Sequence, residues 1–240
     1  MTILCIETST SVCSAAICKD GKPVRQCICR QGSNHARLLP RYIEELLSLA
    51  REQNLSIDAV ALSEGPGSYT GLRIGTSTAK GLCYGLNVPL VPVPTLQVLC
   101  AHAFSSLPSD KATTPVVLCP MIDARRMEVY TAFYSPDRQP LSGVRAVVVE
   151  SETSLLDLQG SNVQCTKEYY YFGDGAAKCM DVLTKPNWHY LPDIVPEAQY
   201  MGLLAESNQQ SAISNQQLAY YEPFYLKEFA AAQSHVKGLK

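Results

Sequence analysis

The sequence predicts an α/β protein of two similar lobes, each a mixed sheet with helices, that face each other across a cleft. One observation is an apolar strand that ends in an acidic residue and is followed by two more strands, over Ile3–Cys29. The same order recurs over Val116–Val149, which indicates a duplication. Between them, the polar, proline-bounded stretch 108–115 divides the chain into predicted lobes 1–107 and 108–240.

Three strands open the first lobe. Apolar and β-branched residues predict strands at Ile3–Thr8 and Val12–Cys18. The dipeptide Asp20-Gly21 is typical of a tight hairpin turn, and Val24–Cys29 follows as the third strand.

A helix follows over His35–Ala50, because apolar residues recur there at helical spacing. These residues are Leu38, Leu39, Tyr42, Ile43, Leu46 and Leu47. Asp58–Ser63 is then predicted as a short strand, and Glu64–Ser68 as a sharp turn that leads into the next helix.

That next helix, about Thr70–Leu86, contains four glycines, each costing about 1 kcal/mol relative to alanine. A helix with so low a propensity needs a packing reason. One smooth face is predicted, because small residues recur every three to four positions at Gly71, Gly75, Thr78, Leu82 and Gly85. That face packs either on the helix's own sheet or on another subunit, and the spacing alone favours its own sheet.

The second group of strands begins after a helix predicted over Thr95–Phe104. It comprises Val116–Ile122, Met127–Tyr134 and Leu141–Val149, and Asp123 ends its first strand. This acid has the position that Glu7 has in the first group, so the two halves match in order and length.

The rest of the second half continues with a strand, a turn and a helix. Tyr169–Phe172 is predicted as the strand, and the glycine turn Gly173–Ala176 as the link to the helix. The aromatic tail Tyr220–Leu226 is expected to pack back on the body, and Ala230–Lys240 to be frayed.

The composition is that of a globular protein, with 46% hydrophobic and 18% charged residues. A net charge of -2 predicts no broad surface for a polyphosphate, so any RNA contact should be weak or local. The ten cysteines are scattered, which is typical of buried, reduced thiols. The opening residues lack a basic leader with a long apolar run, and no stretch has about 20 apolar residues, so we expect no signal peptide, no membrane span and a cytoplasmic protein.

The glycine loop ahead of the second helix is a candidate phosphate site. Free backbone N–H groups at a helix start attract anions, and Gly65, Gly67 and Ser68 would supply them. The loop lacks the spacing and the lysine of a Walker A motif, however. A plain strand-to-helix turn explains its glycines as well.

The two acids at equivalent strand ends are the second candidate. In a nucleotide-binding cleft, Glu7, with the adjoining Thr8, and Asp123 could position a hydrated cation or an attacking water. Alternatively, each acid caps the turn that follows it, which is the commoner role and the favoured interpretation. The four histidines lack metal-site spacing, and no G-x-S-x-G or H-E-x-x-H motif is present.

Four segments carry a family resemblance: the opening ILCIETST, the loop and helix GPGSYTGLRIG (65–75), the hairpin IDARRMEVY (122–130) and the tail PFYLK (223–227). They resemble the TsaB (YeaZ) proteins of tRNA threonylcarbamoyladenosine biosynthesis, within the TsaD/Kae/glycoprotease-like group. The tail has lysine where the family has arginine. The segments occur in order from the first strand to residue 227.

The resemblance implies a duplicated actin/Hsp70-like fold, also called ASKHA or ribonuclease H-like. It also implies a role beside TsaD, which transfers the threonylcarbamoyl group to adenosine 37 of tRNA. TsaD holds its metal through an H-x-x-x-H motif after a P-L-x-x-V strand. Here that strand is PLVPV, and the ligand positions hold Thr95 and Leu99, neither of which can replace imidazole. We therefore expect no metal and no catalytic residue in this chain.

The resemblance further implies a partner role through the first two helices of the first lobe. TsaB proteins bind TsaD there and form homodimers through the same surface. For the small-residue face of the second helix, the resemblance therefore favours a subunit interface over packing on the helix's own sheet. TsaE joins the assembled pair, TsaC makes the threonylcarbamoyl-adenylate, and tRNA is reached only through the complex, with no membrane contact. The predicted contacts are Leu39, Tyr42, Ile43, Leu46, Arg73, Gly75, Thr76, Lys80 and Leu82.

Two other functions compete with this role. An independent nucleotide-binding ATPase or kinase-like enzyme of the same fold is the alternative, since the cleft and its two acids permit it. No cofactor is expected to be required, although ATP or ADP could bind at the partner interface. A peptidase is disfavoured, because the sequence has no nucleophile–base pair and no zinc motif.

Overall fold

The first half of the chain forms a five-stranded mixed sheet. In this computed structural model, residues 1–32, 34–107, 116–158 and 167–227 are described. The strands are β1 (Thr2–Glu7), β2 (Cys13–Lys19), β3 (Lys22–Cys29), β4 (Ala59–Gly65) and β5 (Leu90–Pro94). Their order is β3-β2-β1-β4-β5, with β1, β2 and β3 antiparallel and β1, β4 and β5 parallel.

The second half repeats this sheet strand for strand. Its strands are β6 (Val116–Asp123), β7 (Glu128–Thr131), β8 (Arg145–Val148), β9 (Glu168–Phe172) and β10 (Trp188–Tyr190). The order β8-β7-β6-β9-β10, with the first three antiparallel and the last two parallel to β6, reproduces the first sheet. The predicted duplication and the α/β fold class are therefore confirmed.

Three long helices belong to the first half. They are α1 (His35–Glu52), α2 (Tyr69–Leu86) and α3 (Thr95–Ser106), and two short ones follow, α4 (Glu152–Leu156) and α5 (Gly202–Ser207). The helix predicted after Gly173–Ala176 is wrong, since only a 3-10 turn at Ala177–Cys179 forms there. No helix among the described residues is long and apolar enough to cross a membrane.

The two faces of the first sheet have different covers. On one face, Leu39 and Leu46 of α1 and Ala79 of α2 pack against Leu4 and Leu62. Burying a leucine side chain of this size contributes about 2 kcal/mol, so this layer is a main source of stability for the lobe.

Helix α3 connects the two sheets. Val98 packs on the second face of the first sheet, whereas Leu96, Leu99 and Cys100 pack against the second sheet. A further core, with Phe133 and Trp188 at its centre, fills the far side of the second sheet. Because one helix supplies side chains to both sheets, the two halves share a continuous interior.

The C-terminal segment corrects the predicted domain boundary. Ala198, Met201 and Leu204 pack on the first sheet, although they lie in the half predicted as the second lobe. The backbones of Leu90 and Ile213 exchange two hydrogen bonds, of 3.1 and 2.7 Å, at the free edge of β5. Along the sequence, the chain therefore passes through the second lobe and then returns to the first.

A buried carboxylate fixes this return. Glu197 is fully buried and accepts hydrogen bonds from Arg30 at 2.6 Å and from Gln26 at 3.0 Å, both near the end of β3. Although burial would raise the pKa of Glu197, the hydrogen bonds from Gln26 and Arg30 outweigh it and hold the pKa below its usual value.

Two sequence-based predictions lie outside the described residues: the linker 108–115 and the frayed end 230–240. The aromatic tail is described as far as residue 227. Pro223 is buried, and the N–H of Phe224 donates to the carbonyl of Glu64 at 2.7 Å. The prediction that this tail packs back on the body is therefore confirmed. Nine described cysteines are free, and all but Cys29 are buried.

Candidate partner-binding helices and interlobe cleft

The glycine loop between β4 and α2 is filled by the protein's own backbone. A Cβ at Gly67 would collide with the carbonyl oxygen of Ser9, and one at Gly65 would lie 2.5 Å from the carbonyl oxygen of Phe224. The N–H of Ser68 donates to the Ser9 carbonyl at 2.6 Å. These contacts favour the strand-to-helix turn over a phosphate site at Gly65, Gly67 and Ser68.

Helix α2 begins at this loop for a local reason. Ser68 is its N-cap, with an extended backbone, and its hydroxyl accepts a 3.4 Å hydrogen bond from the N–H of Gly71. At the other end, Asn87 adopts a left-handed conformation that terminates the helix. The start of α2 is thereby fixed against the turn that follows β1.

The two acids at equivalent strand ends both cap turns. Glu7 Oε1 accepts a hydrogen bond from the N–H of Ser9 at 2.6 Å, and Asp123 Oδ1 accepts one from the N–H of Arg125 at 3.2 Å. In each lobe the acceptor and the donor are two residues apart. The favoured interpretation of Glu7 and Asp123 as turn caps agrees with this geometry.

Burial distinguishes the two acids. Glu7 is fully buried, and neither its Oε2 nor the hydroxyl of Ser9 has a hydrogen-bond partner among the described residues. Asp123 is exposed and pairs with Lys178. Desolvation raises the pKa of Glu7, and the hydrogen bond from the Ser9 N–H opposes that rise only in part.

Asp174 is a cleft residue that the sequence reasoning missed. It lies in the turn after β9, and its Oδ1 accepts a 3.1 Å hydrogen bond from the N–H of Asp123. Solvent reaches its side chain, yet the surrounding protein raises its pKa, chiefly by desolvation, and its charge in turn raises the pKa of Glu7. The sequence feature that could have identified Asp174 is its place in a glycine turn directly after a strand.

Among residues 1–32, 34–107, 116–158 and 167–227, no group of three or more His, Cys, Asp or Glu side chains is placed to hold a metal ion. The family's ligand positions have other roles. Thr95 is fully buried, shares a 2.7 Å hydrogen bond with the Ser63 hydroxyl, and accepts one from the N–H of Gly65 at 3.1 Å. Leu99 is fully buried between α3 and the second sheet.

The predicted contacts on α1 are largely wrong. Leu39, Ile43 and Leu46 are 0%, 6% and 0% exposed, because they form the core between α1 and the first sheet. No partner can reach them without unfolding the lobe. Tyr42 is half-buried and lines a shallow open groove on the outer side of α1, formed by Leu38, Arg41, Tyr42, Glu44, Glu45 and Ser48.

The predicted contacts on α2 divide into two groups. Gly75 and Thr76 are buried against the lobe, so their assignment to a partner surface is also wrong. Arg73, Lys80 and Leu82 remain at least partly exposed. Lys80 Nζ donates to the carbonyl of Ala219 at 3.1 Å, so this side of α2 adjoins the returning C-terminal segment.

The glycines of α2 do not form one face. A Cβ at Gly71 would collide with the carbonyl oxygen of Thr8, and one at Gly75 with the Thr8 hydroxyl. In contrast, no described atom lies within 4 Å of the position that a Cβ would take at Gly81 or Gly85. The first pair packs on the helix's own lobe, and the second pair is open.

The open pair belongs to a stripe of small residues on the outer side of α2. Ser77, Gly81 and Gly85 follow one another at intervals of four residues and are all exposed. Since α1 and α2 cover the same face of the sheet, this stripe and the groove on α1 both lie on the outer side of that helical layer. Backbone so little covered permits the close approach of another helix.

Comparisons with known proteins agree with the fold described above. The family model described as TsaD, tRNA N6-adenosine threonylcarbamoyltransferase, matches residues 30–234. The structure of YeaZ from Pseudomonas aeruginosa superposes with a TM-score of 0.72 at 23% identity, covering 94% of this chain and 99% of that one. The fold is accordingly the duplicated, actin-like two-lobe α/β fold.

Several curated relatives carry the name "tRNA threonylcarbamoyladenosine biosynthesis protein TsaB". The protein from Escherichia coli is 35% identical over 137 residues, which is 57% of this chain and 56% of that protein. The one from Haemophilus influenzae is 33% identical over 130 residues, 54% of this chain and 52% of that protein. The chain thus spans about half the length of these curated relatives.

Proposed function

This chain belongs to the TsaD family, and we propose that it acts in tRNA threonylcarbamoyladenosine biosynthesis as the non-catalytic partner that binds and activates a TsaD enzyme. The proposal fits the TsaB name of its relatives from E. coli and H. influenzae. It depends above all on one observation, the open stripe of small residues along α2.

The stripe supports a helical partner. Gly81 and Gly85 lower the helix propensity of α2, yet no close packing within the lobe requires glycine at either position. Their cost in stability is therefore unexplained in the isolated chain. A helix from another subunit can approach such a surface closely and gain dispersion contacts along the backbone. The groove along α1, with Tyr42 and Arg41, adds residue types that anchor interfaces.

Thr95 and Leu99 support the non-catalytic part of the proposal. The Thr95 hydroxyl is already hydrogen-bonded to the Ser63 hydroxyl and to the Gly65 N–H. Leu99 has no lone pair and is enclosed by apolar side chains. Supplying a metal ligand at either position would require replacing the residue and opening the core. We therefore assign the metal-dependent step to TsaD.

The proposed assembly follows from this division of work. TsaD binds the α1–α2 surface to form a heterodimer, and the same surface forms a homodimer when the chain is alone. TsaE joins the heterodimer, TsaC supplies the threonylcarbamoyl-adenylate, and tRNA is modified on the complex in the cytoplasm.

The test is Gly81→Trp. A tryptophan there meets no described atom of the lobe, so the chain should fold normally while the partner helix is held away. We expect loss of co-elution with TsaD in gel filtration and loss of tRNA modification in the reconstituted system. Gly75→Trp cannot serve, because it would collide with Thr8 and disrupt the lobe.

Gly143→Trp is the matched control. Gly143 is exposed in the second lobe, and a Cβ at this position would also have no described atom within 4 Å. This variant should form the complex as the unchanged chain does. Complex formation by both variants would reject the α2 surface, whereas loss in both would point to a general effect of the tryptophan.

Nucleotide binding is the second candidate function. It is favoured by Glu7 Oε2 and the Ser9 hydroxyl, two buried polar atoms at the cleft that have no partner among the described residues. Titration of the isolated chain with ATP and ADP by calorimetry tests it. Tight binding with turnover would favour an independent enzyme; binding only in the presence of TsaD would place the nucleotide at the partner interface.

A further inference from the structure

Two turns of the molecule each place two successive residues at positive φ. In the β2–β3 turn these are Asp20 and Gly21, with φ of 50° and 73°. In the β6–β7 turn they are Arg125 and Arg126, with φ of 73° and 49°. The first turn has the residue types that tolerate this conformation, and the second does not.

Arginine is an unfavourable choice for the left-handed region. Its Cβ approaches the following carbonyl oxygen there, which is why glycine, asparagine and aspartate are preferred. Apart from this pair, the described non-glycine residues with positive φ are Asn or Asp, except for Arg138, which stands singly in another turn. Two adjacent strained arginines therefore need a role that their side chains fulfil.

The two acids that flank the turn are each paired with a lysine, and the nearby Asp174 accepts a hydrogen bond from the N–H of Asp123. Asp123 pairs with Lys178, and Glu128 pairs with Lys227 of the C-terminal tail. Within the part of the chain that the structure describes, neither Arg125 nor Arg126 takes part in an ion pair, and both are exposed. The turn thus presents two free guanidinium groups.

We propose that the β6–β7 turn binds the phosphate backbone of RNA through Arg125 and Arg126. The inference rests on the proposed function, which makes tRNA the RNA that the complex handles. It adds a direct contact between this chain and the substrate, at a site in the second lobe, away from the α1–α2 surface of the first.

The chemistry favours an RNA backbone over other anions. Guanidinium groups bind phosphate oxygens with two parallel hydrogen bonds, and a protruding hairpin reaches a backbone without needing a pocket. A free nucleotide is held in a concave site, which an exposed turn does not provide. The overall charge of -2 confines such binding to a local contact, and two arginines at one turn are such a contact.

The test uses a double substitution that should weaken RNA binding while leaving the stability of the fold unchanged or higher. In Arg125→Asn/Arg126→Gly, both positions receive residues suited to positive φ, and the backbone hydrogen bond to Asp123 is kept. The thermal midpoint should stay the same or rise. The complex with TsaD should bind tRNA on the order of tenfold more weakly at 0.1 M salt. The slope of the logarithm of the binding constant against the logarithm of the salt concentration should fall in magnitude by about 2.

Two further variants complete the design. Lys19→Ala/Lys22→Ala removes the same charge from exposed positions beside the β2–β3 turn and should leave tRNA affinity unchanged. Arg125→Lys/Arg126→Lys should retain part of the affinity, because the charges remain while the paired hydrogen bonds are lost.

Each outcome decides the matter. Complex formation with TsaD is measured on the same samples by gel filtration, so failure of the proposed function appears as loss of the heterodimer before any RNA is added. If the Arg125→Asn/Arg126→Gly variant forms the heterodimer and binds tRNA with unchanged affinity and unchanged salt dependence, the proposal is overturned. Equal weakening by the Lys19/Lys22 variant would also overturn it, since the effect would then be one of total charge.

Discussion

The two glycine pairs of α2 differ although they share one helix and one spacing. Gly71 and Gly75 meet Thr8 so closely that neither has room for a side chain. Gly81 and Gly85, two to three turns further on, meet nothing among the described residues. Conformational freedom explains neither pair. The inner pair lets the helix dock on its own lobe, and the outer pair leaves a surface that the lobe does not use.

This contrast shows that glycine spacing in a helix has two independent causes. The inner pair contributes to stability, because it lets Thr8 donate a 2.8 Å hydrogen bond to the carbonyl of Gly71. The outer pair costs stability and gives the isolated chain nothing in return. Substitutions at the two pairs should therefore have opposite effects on the free energy of unfolding.

The largest effect is expected for Gly71→Ala. A methyl group there would collide with the Thr8 carbonyl, which is backbone and cannot rotate away, so β1 or α2 must shift. Overpacking of this kind should lower the free energy of unfolding by about 3 kcal/mol. Urea denaturation followed by circular dichroism measures it, and a loss below about 1 kcal/mol would show that the two elements are not locked together.

A smaller effect of opposite sign is expected for Gly81→Ala. The new methyl group meets open space, and the helix gains up to about 1 kcal/mol in intrinsic propensity. The same denaturation experiment should show a higher midpoint. A destabilised Gly81→Ala would mean that the outer pair also packs against this chain, and it would weaken the proposed partner surface.

The smallest effect is expected at Glu7, the residue before Thr8, which contacts both Gly71 and Gly75. Since burial raises the pKa of Glu7 in the folded protein, the folded state binds its proton more tightly than the unfolded state does. The stabilisation is present below the ordinary Glu value of about 4.3 and is lost as the pH rises through the raised pKa. Glu7→Gln removes this loss, so its stability relative to the unchanged protein should increase from pH 4 to pH 7. A difference independent of pH would contradict the desolvation of Glu7.

Much of the fold was predictable from local patterns. The apolar strands ending in Glu7 and Asp123 were identified because strand, acid and turn are contiguous in sequence, and both acids do cap their turns. The order of strands in the second half repeated the first, so the duplication could be inferred without any contact information.

The direction in which each helix faces was not predictable in the same way. Periodicity placed Leu39, Ile43 and Leu46 on one stripe, but it could not state whether a sheet or a partner covers that stripe. Similarly, spacing grouped Gly75 with Gly85, whereas the neighbouring Thr8 covers only the former. The return of the C-terminal segment had no local signal either, because its contacts join residues far apart in sequence.

That return has a consequence for how the protein is made. The second face of the first sheet is covered only in part, by Val98 of α3, until Ala198, Met201 and Leu204 leave the ribosome, although the strands themselves are among the earliest residues synthesised. The nascent chain therefore holds an unfinished apolar surface through most of translation, a period in which such surfaces aggregate or recruit chaperones. Release of a chain truncated before residue 198 would yield a first lobe that never completes its core.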